Sequence, residues 1–234
     1  MAANKRAGKK SLAQNDYLAP AAPLIGSGTD VGSGRAYNDG AVSVTFTHQG
    51  PNAATSYTVT ASTGQTATGS SSPLVVGGIG TGATPTFTVT ATNAAGTSPA
   101  SSASGAVTVT TVPAAPTSVT ASSPGGANYD TVSWSAPANG GKAITNYYVV
   151  SSDGKTANTA STSVNITQEQ GTAQTYTVYA DNANGRSTVS APSNSVTTFS
   201  FVPFSVFGFS PFGVFGFSPF SVFSFIPFSV FSFR

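Results

Sequence analysis

Residues that commonly carry catalysis are few in this chain and lie far apart. His48 is the only histidine and cysteine is absent, so one chain cannot supply a multi-histidine zinc site, a histidine relay or a thiolate nucleophile. The glycine-rich segment 77–80 lacks the Lys-Ser/Thr pair of a phosphate-binding loop, and no GxSxG element occurs among the many serines. We therefore expect no enzyme activity, no cofactor and no metal site.

The acidic residues are scattered singly, which disfavours chemistry by paired carboxylates. Asp153-Gly154 lies between two strand patterns and predicts a hairpin turn. Asp130 and Asp181 could contribute to a calcium site at a loop end, but three or more converging oxygen ligands are not visible. His48 directly follows a strand pattern, and we interpret it as a turn residue on the surface.

Charge is scarce and unevenly placed along the chain. Only 7% of the residues are charged and the net charge is +2, so we expect no nucleic-acid partner. Residues 1–20 lack hydrophobic periodicity and are interpreted as a flexible basic arm, either an anchor or a solvated tail without a role. No apolar segment of signal-peptide length follows the basic start. The cations of this arm are Lys5, Arg6, Lys9 and Lys10.

Most of the remaining chain consists of short segments in which apolar and polar residues alternate, separated by Gly, Pro, Asn and Ser. This pattern is typical of strands in a β-sandwich or barrel. The first series of predicted strands covers residues 41–47, 56–62, 72–78, 86–92 and 106–112. The second series covers residues 117–123, 131–137, 144–152, 162–168, 174–182 and 194–200.

The two series are copies of one unit of about 90 residues. VTFT at 44–47 matches VSWS at 132–135, and two further motifs repeat at nearly the same offset. The three offsets are 88, 90 and 89 residues. The proline-containing segment 112–116 reads as a short, stiff linker, so we predict domains at 21–112 and 113–198.

The second unit resembles a fibronectin type III domain. The resemblance is carried by Pro116 at its start, by Trp134, by Tyr147 and by a YxVxAxNxxGxS-like segment that begins at Tyr176. It covers roughly residues 20–198 and implies two tandem seven-strand β-sandwiches, in a family that serves mostly as spacers or binding modules. The core positions are Phe46, Tyr57, Phe87, Trp134, Tyr147 and Tyr176.

Two further observations bear on this resemblance. Trp134 lies on an alternating strand, which favours packing between two sheets over a sugar-stacking role. The segment 30–47 is similar to the opening of such domains in tailed-phage structural proteins.

The final segment, residues 199–234, contains fourteen of the sixteen Phe residues and no charge before Arg234. From residue 202 it divides into four octads, each with proline at its second position. Proline at this interval excludes a membrane-spanning helix, and an even period keeps each position on one face of an extended chain. We predict a C-terminal β segment, intertwined between chains or solenoid-like.

Such a large apolar surface must be buried, and we expect it to be buried against other copies of the chain in a homotrimer. Membrane insertion, open-ended fibrils and docking in a partner's groove are the alternatives. The predicted oligomerisation residues are Phe204, Val206, Phe207, Phe209, Phe212, Phe215, Phe217, Phe220, Phe223, Phe225, Phe228, Phe231 and Phe233.

Together these features favour a non-enzymatic structural protein of a phage virion, either a fibre or a head or tail decoration. Its expected partners are other copies of itself and other virion proteins, and its expected location is the virion, assembled in the host cytoplasm. The second hypothesis is an adhesion module whose sandwich loops bind a host-surface glycan. A fragment of a carbohydrate-active enzyme is the least favoured class because no catalytic set is visible.

Overall fold

The computed structural model describes residues 18–199, and this range contains strands and turns but no helix. No helix in it is therefore long and apolar enough to cross a membrane. The predicted all-β fold is confirmed for this range. The predicted arm cations Lys5, Arg6, Lys9 and Lys10 and the predicted oligomerisation residues from Phe204 to Phe233 lie outside the described residues.

The first sandwich consists of seven antiparallel strands in two sheets. Three strands pair in the order β1-β2-β5 and four in the order β4-β3-β6-β7. The strands are β1 (Leu24–Asp30), β2 (Gly40–Thr47), β3 (Ser56–Ala61), β4 (Thr66–Gly69), β5 (Leu74–Ile79), β6 (Phe87–Asn93) and β7 (Gly96–Thr97).

The core of this sandwich follows from the alternation along its central strands. On β2, Val42, Val44 and Phe46 are buried while Thr45 between them is exposed. Apolar residues of β3, β5 and β6 complete one buried cluster between the two sheets. Alternating apolar residues on both sheets are what a two-layer sandwich requires.

The second sandwich repeats this arrangement, with sheets ordered β12-β9-β8 and β11-β10-β14-β15 and an additional two-stranded pair, β13 with β16. The strands are β8 (Thr117–Ser122), β9 (Tyr129–Ser135), β10 (Ile144–Ser151), β11 (Thr156–Thr159), β12 (Ser163–Thr167), β13 (Ala173–Gln174), β14 (Tyr176–Asn182), β15 (Gly185–Arg186) and β16 (Val196–Thr197).

Trp134 lies at the centre of the second core, as the sequence predicts. Its ring contacts that of Tyr147 edge-on, with centroids 5.2 Å apart. Both residues belong to one buried cluster with residues of β14. The Asp153-Gly154 turn joins β10 to β11, and the positive φ of Gly154, 87°, suits a hairpin turn.

The predicted strand at 106–112 is wrong, because this segment does not form a regular ladder with β6 and the residues before it. The N–H groups of Val107 and Val109 do bond to the carbonyl oxygens of Pro85 and Ala83. Pro85 has no N–H to return the bond, and the N–H of Ala83 bonds to Gly80 instead. One-sided bonding keeps the segment extended without making it a strand.

A serine ladder replaces part of the last strand in both sandwiches. Each of its serines bonds to a strand residue twice: the backbone N–H donates to the partner's carbonyl, and Oγ accepts the partner's N–H at 2.9–3.0 Å. Serines recur every third residue, the period of a polyproline II helix. The pairs are Ser98 with Ala91, Ser101 with Val89, Ser104 with Phe87, Ser187 with Ala180, Ser190 with Val178 and Ser193 with Tyr176.

Candidate functional site

The two sandwiches lie within one compact unit. They meet at residues 110–112. We call these residues, together with the loops that bond to them, the joint. Thr110, Thr111 and Val112 are all buried, with exposed fractions of 5%, 0% and 6%. Linkers between domains are usually solvent-exposed and mobile. Here the connecting chain is part of the packed interior.

Asn182, at the end of β14, is the principal residue of the joint. Its Nδ2 donates to the carbonyl oxygen of Thr111 at 2.9 Å and to that of Asn139 at 2.8 Å. Its Oδ1 accepts the backbone N–H of Asn184 at 2.8 Å. One buried side chain thus connects the end of the first sandwich to two loops of the second.

Asn184 of the second sandwich and Asp30 of the first both form hydrogen bonds to the segment 110–111. Asn184 Nδ2 donates to Thr110 Oγ1 at 2.8 Å and to the carbonyl of Thr111 at 3.0 Å. Asp30, the last residue of β1, accepts the backbone N–H of Thr110 at 3.1 Å and also its hydroxyl. Gly34 N donates to the Asn184 carbonyl at 2.8 Å, so a loop of the first sandwich directly contacts the second.

Gly140 makes the close approach of the loops at the joint possible. A Cβ at this position would lie 2.3 Å from the carbonyl oxygen of Thr111, and its φ of +70° is left-handed. Its own carbonyl accepts the N–H of Thr111 at 2.8 Å. Any larger residue would push the two sandwiches apart at this point.

The first sandwich holds its incoming chain in the same way. Asn93 occupies the position of Asn182 and donates through Nδ2 to the carbonyl of Leu18 at 2.9 Å. The two incoming segments are alike, LAPAAP at 18–23 and TVPAAP at 111–116. The joint is therefore an elaboration of a contact that both copies of the unit contain.

A second feature, the Tyr–Arg face, lies on the outer side of the four-stranded sheet of the second sandwich. Tyr148 and Tyr179 pair across β10 and β14, with ring centroids 6.3 Å apart. The guanidinium carbon of Arg186 lies 4.5 Å from the first ring centroid and 5.4 Å from the second. Arg186 also bonds bidentately to Asp181, at 2.8 and 2.9 Å, and this bond chiefly raises the pKa of the guanidinium.

The equivalent face of the first sandwich has no aromatic ring and no charge at these positions. The residues there, which pair across the strands in the same way, are Thr58, Thr90, Thr92 and Thr97. Since the fold tolerates threonine at all four sites, the aromatic and charged residues of the second sandwich are not needed to form the sheet.

A third polar feature lies where the chain leaves the second sandwich. Asp130 is fully buried and accepts hydrogen bonds from the hydroxyls of Tyr176, at 2.5 Å, and Thr198, at 2.9 Å. Burial, and next the hydrogen bond to Asp130, raise the pKa of Tyr176. The corresponding positions of the first sandwich hold apolar residues, Val42, Phe87 and Val109.

The structure shows the partners of Asp130 and Asp181, around which the sequence shows no complete set of calcium ligands, and it corrects the interpretation of His48. The carboxylates of Asp130 and Asp181 are engaged by hydroxyl groups and by Arg186, so neither is arranged as a calcium ligand. In residues 18–199 no group of three metal-ligating side chains occurs. His48 is not a freely exposed turn residue, because it packs edge-on against Tyr57 at 6.1 Å and its Nδ1 is buried without a hydrogen-bond partner.

The six residues predicted for the core all lie in the two buried clusters, with exposed fractions between 0% and 8%. They are Phe46, Tyr57, Phe87, Trp134, Tyr147 and Tyr176. Neither the joint nor the Tyr–Arg face is among the sites predicted from the sequence. A position-by-position comparison of the two copies could have identified the Tyr–Arg face, because threonines of the first copy align with tyrosine and arginine in the second.

Three strands face four in both units, with the core between the two sheets, so both are β-sandwiches of the kind that the resemblance to fibronectin type III domains implies. No protein-family model and no curated protein matches the sequence. Among solved structures, the FN1-FN3 domains of chicken CNTN1 align over 77% of this chain and 67% of that chain, at 19% identity and a TM-score of 0.40.

Two kinase-containing structures also align with part of the chain. The titin kinase with its flanking domains aligns over 37% of this chain at 26% identity, and the twitchin kinase region from C. elegans over 37% at 22%, each with a TM-score of 0.33. The chain spans only 17% and 16% of the length of these two structures.

Proposed function

We propose that this protein is a non-enzymatic structural component of a phage virion, a fibre or a head or tail decoration. In this proposal the two sandwiches form a stiff projecting pair. The Phe-rich repeats of residues 199–234 join three copies of the chain, and other virion proteins anchor the assembly.

The buried joint is the observation that supports this role most strongly. Thr111 is fully buried and its carbonyl accepts bonds from both Asn182 and Asn184. Two domains joined by a buried, hydrogen-bonded linker keep a constant length and direction. A projecting spacer requires this rigidity, whereas binding domains can work on a flexible linker. The scarcity of charge and the absence of cysteine agree with a static structural part.

Electron microscopy of the purified full chain tests the proposal. We expect discrete particles from which two-lobed arms of constant length project in threes. Isolated two-lobed molecules, or open-ended filaments, would contradict it. Immunogold labelling of the native particle would then show whether the protein lies on the head, the tail or neither.

The second candidate function is adhesion to a host-surface glycan. One specific observation favours it: the Tyr–Arg face is present in the second sandwich and replaced by threonines in the first.

A further inference from the structure

A groove of about 470 Å³ opens beside the joint, next to the Tyr–Arg face. One wall is the loop of the first sandwich that contains Tyr37, the floor is the connecting chain from Val112 to Ala115, and the other wall is formed by Arg186 and Thr188. Small-molecule sites are commonly found at domain interfaces and have volumes of about 300–1,000 Å³. This groove lies at such an interface, and its volume falls within that range.

Arg186 is held in a fixed orientation at the edge of this groove. Its guanidinium lies over the ring of Tyr148 and near that of Tyr179, and its Nε and one Nη bond to Asp181. Among the described residues, no acceptor bonds to its other terminal nitrogen. A guanidinium in this arrangement can donate further hydrogen bonds without losing side-chain entropy on binding.

The walls offer an apolar surface as well as hydrogen-bond donors. Tyr37 is 42% exposed, a large fraction for an aromatic side chain on a domain that buries its other large rings. The floor consists of Val112, two alanines and Pro113. An exposed tyrosine supplies a flat apolar ring with a polar tip.

We propose that this groove binds a neutral carbohydrate, with a pyranose ring against Tyr37 and its hydroxyl groups bonded to Arg186 and Thr188. Charge decides between ligand classes. Asp181 neutralises Arg186, so the site has no net attraction for an acidic sugar or a phosphate, whereas the remaining N–H groups suit uncharged hydroxyl and ring oxygens. Threonines occupy the equivalent positions of the first sandwich, so Arg186, Asp181 and the two tyrosines beneath Arg186 are not required for folding.

The proposal rests on the second candidate function and is independent of trimer formation, which the solution mass tests separately. Fluorescently labelled full-length protein is applied to an array of neutral oligosaccharides of glucose, galactose and N-acetylglucosamine, printed beside sialylated versions. We expect binding to neutral glycans, weakened about tenfold or more by Tyr37→Ala and by Arg186→Thr. Thr97→Ala, at the position of Arg186 in the first sandwich, should bind like the unaltered chain.

Circular dichroism melting curves verify that the three variants are folded. Tyr37 is exposed, so its substitution tests the groove without endangering the core. The proposal is overturned by an array without bound glycans, by binding confined to sialylated glycans, or by binding that Tyr37→Ala and Arg186→Thr leave unchanged.

Discussion

The side-chain amide of Asn182 donates to the backbone carbonyl of Thr111 over 2.9 Å, although the two residues are 71 positions apart. Asn182 is the last residue of β14 in the second sandwich, and Thr111 lies in the last segment of the first sandwich. Because both are buried, the bond is shielded from water and stabilises the joint more than a surface contact would. Two domains that could have moved freely are thereby held as a pair.

Replacing Asn182 by alanine should loosen the joint. The carbonyl of Asn139 would lose its side-chain donor and that of Thr111 one of its two, at a cost of about 1–3 kcal/mol. In small-angle scattering, the full chain should then show a broader range of distances between the sandwiches. Asn93→Ala is the matched control, since it removes the same amide from the first sandwich and should leave the joint intact. Equal distance distributions for Asn182→Ala and the unaltered chain would contradict this role.

The buried hydrogen bonds of Asp130 predict a non-additive set of substitutions. Tyr176→Phe alone removes one partner from a buried carboxylate and should lower the free energy of unfolding by about 1–3 kcal/mol. The triple change of Asp130→Val, Tyr176→Phe and Thr198→Val copies the apolar set of the first sandwich, so it should recover most of that loss. Urea unfolding measures both, and a triple variant as unstable as the summed single variants would refute the explanation.

The raised pKa values of two buried tyrosines predict how the free energy of unfolding depends on alkaline pH. Burial and the hydrogen bond to Asp130 raise the pKa of Tyr176 above its ordinary value near 10, and burial likewise raises that of Tyr147. The folded state therefore holds these protons more tightly than the unfolded state. Their contribution is complete below about pH 10 and declines as the pH rises toward the folded pKa.

Urea unfolding between about pH 8 and about pH 11 tests this dependence. The free energy of unfolding should fall at the upper end of the range, and Tyr176→Phe should make the decline shallower. Tyr129→Phe is a control at a tyrosine that is only half-buried. A free energy that stays constant over the range would show that neither raised pKa contributes to stability.

The serine ladder should be sensitive to loss of a single hydroxyl. Ser190 is buried, and its Oγ accepts the N–H of Val178 at 2.9 Å. Ser190→Ala leaves that N–H without an acceptor inside the sheet, so we expect a loss of about 1–3 kcal/mol in thermal or urea unfolding. The neighbouring exposed residue Thr188 provides the control. If Thr188→Ala destabilises the protein as much as Ser190→Ala, the ladder is not the cause.

Alternation in the sequence predicts the central strands well, because burial on one face imposes a period of two. It predicts β2, β3, β6, β9, β10 and β14, together with the inward position of Trp134. It misses β1, whose glycines are needed for close approach: a Cβ on Gly28 would lie 2.7 Å from Val107. It also misses the edge strands β4 and β11, whose four residues each carry little apolar pattern.

The candidate sites are harder to predict, for a physical reason. The joint depends on contacts between loops that are distant in sequence. The residues next to Asn182 and Thr111 contain no pattern that predicts the hydrogen bond between them. The serine ladder mimics a strand in hydrogen bonding while keeping a period of three, so a search for period two places the strand in the wrong segment. The Tyr–Arg face is different, since the internal repeat aligns Tyr148 with Thr58 from the sequence alone.

The most direct test of the proposed function is the solution mass of the full chain and of a chain that ends at Thr198, measured by sedimentation equilibrium. We expect about three times the 23.3 kDa chain mass for the full chain and a monomer for the shortened one. A full-length variant with Phe207, Phe215, Phe223 and Phe231 replaced by serine should also be monomeric. A monomeric full chain, or a shortened chain that keeps the full-length oligomer, would contradict assembly through residues 199–234.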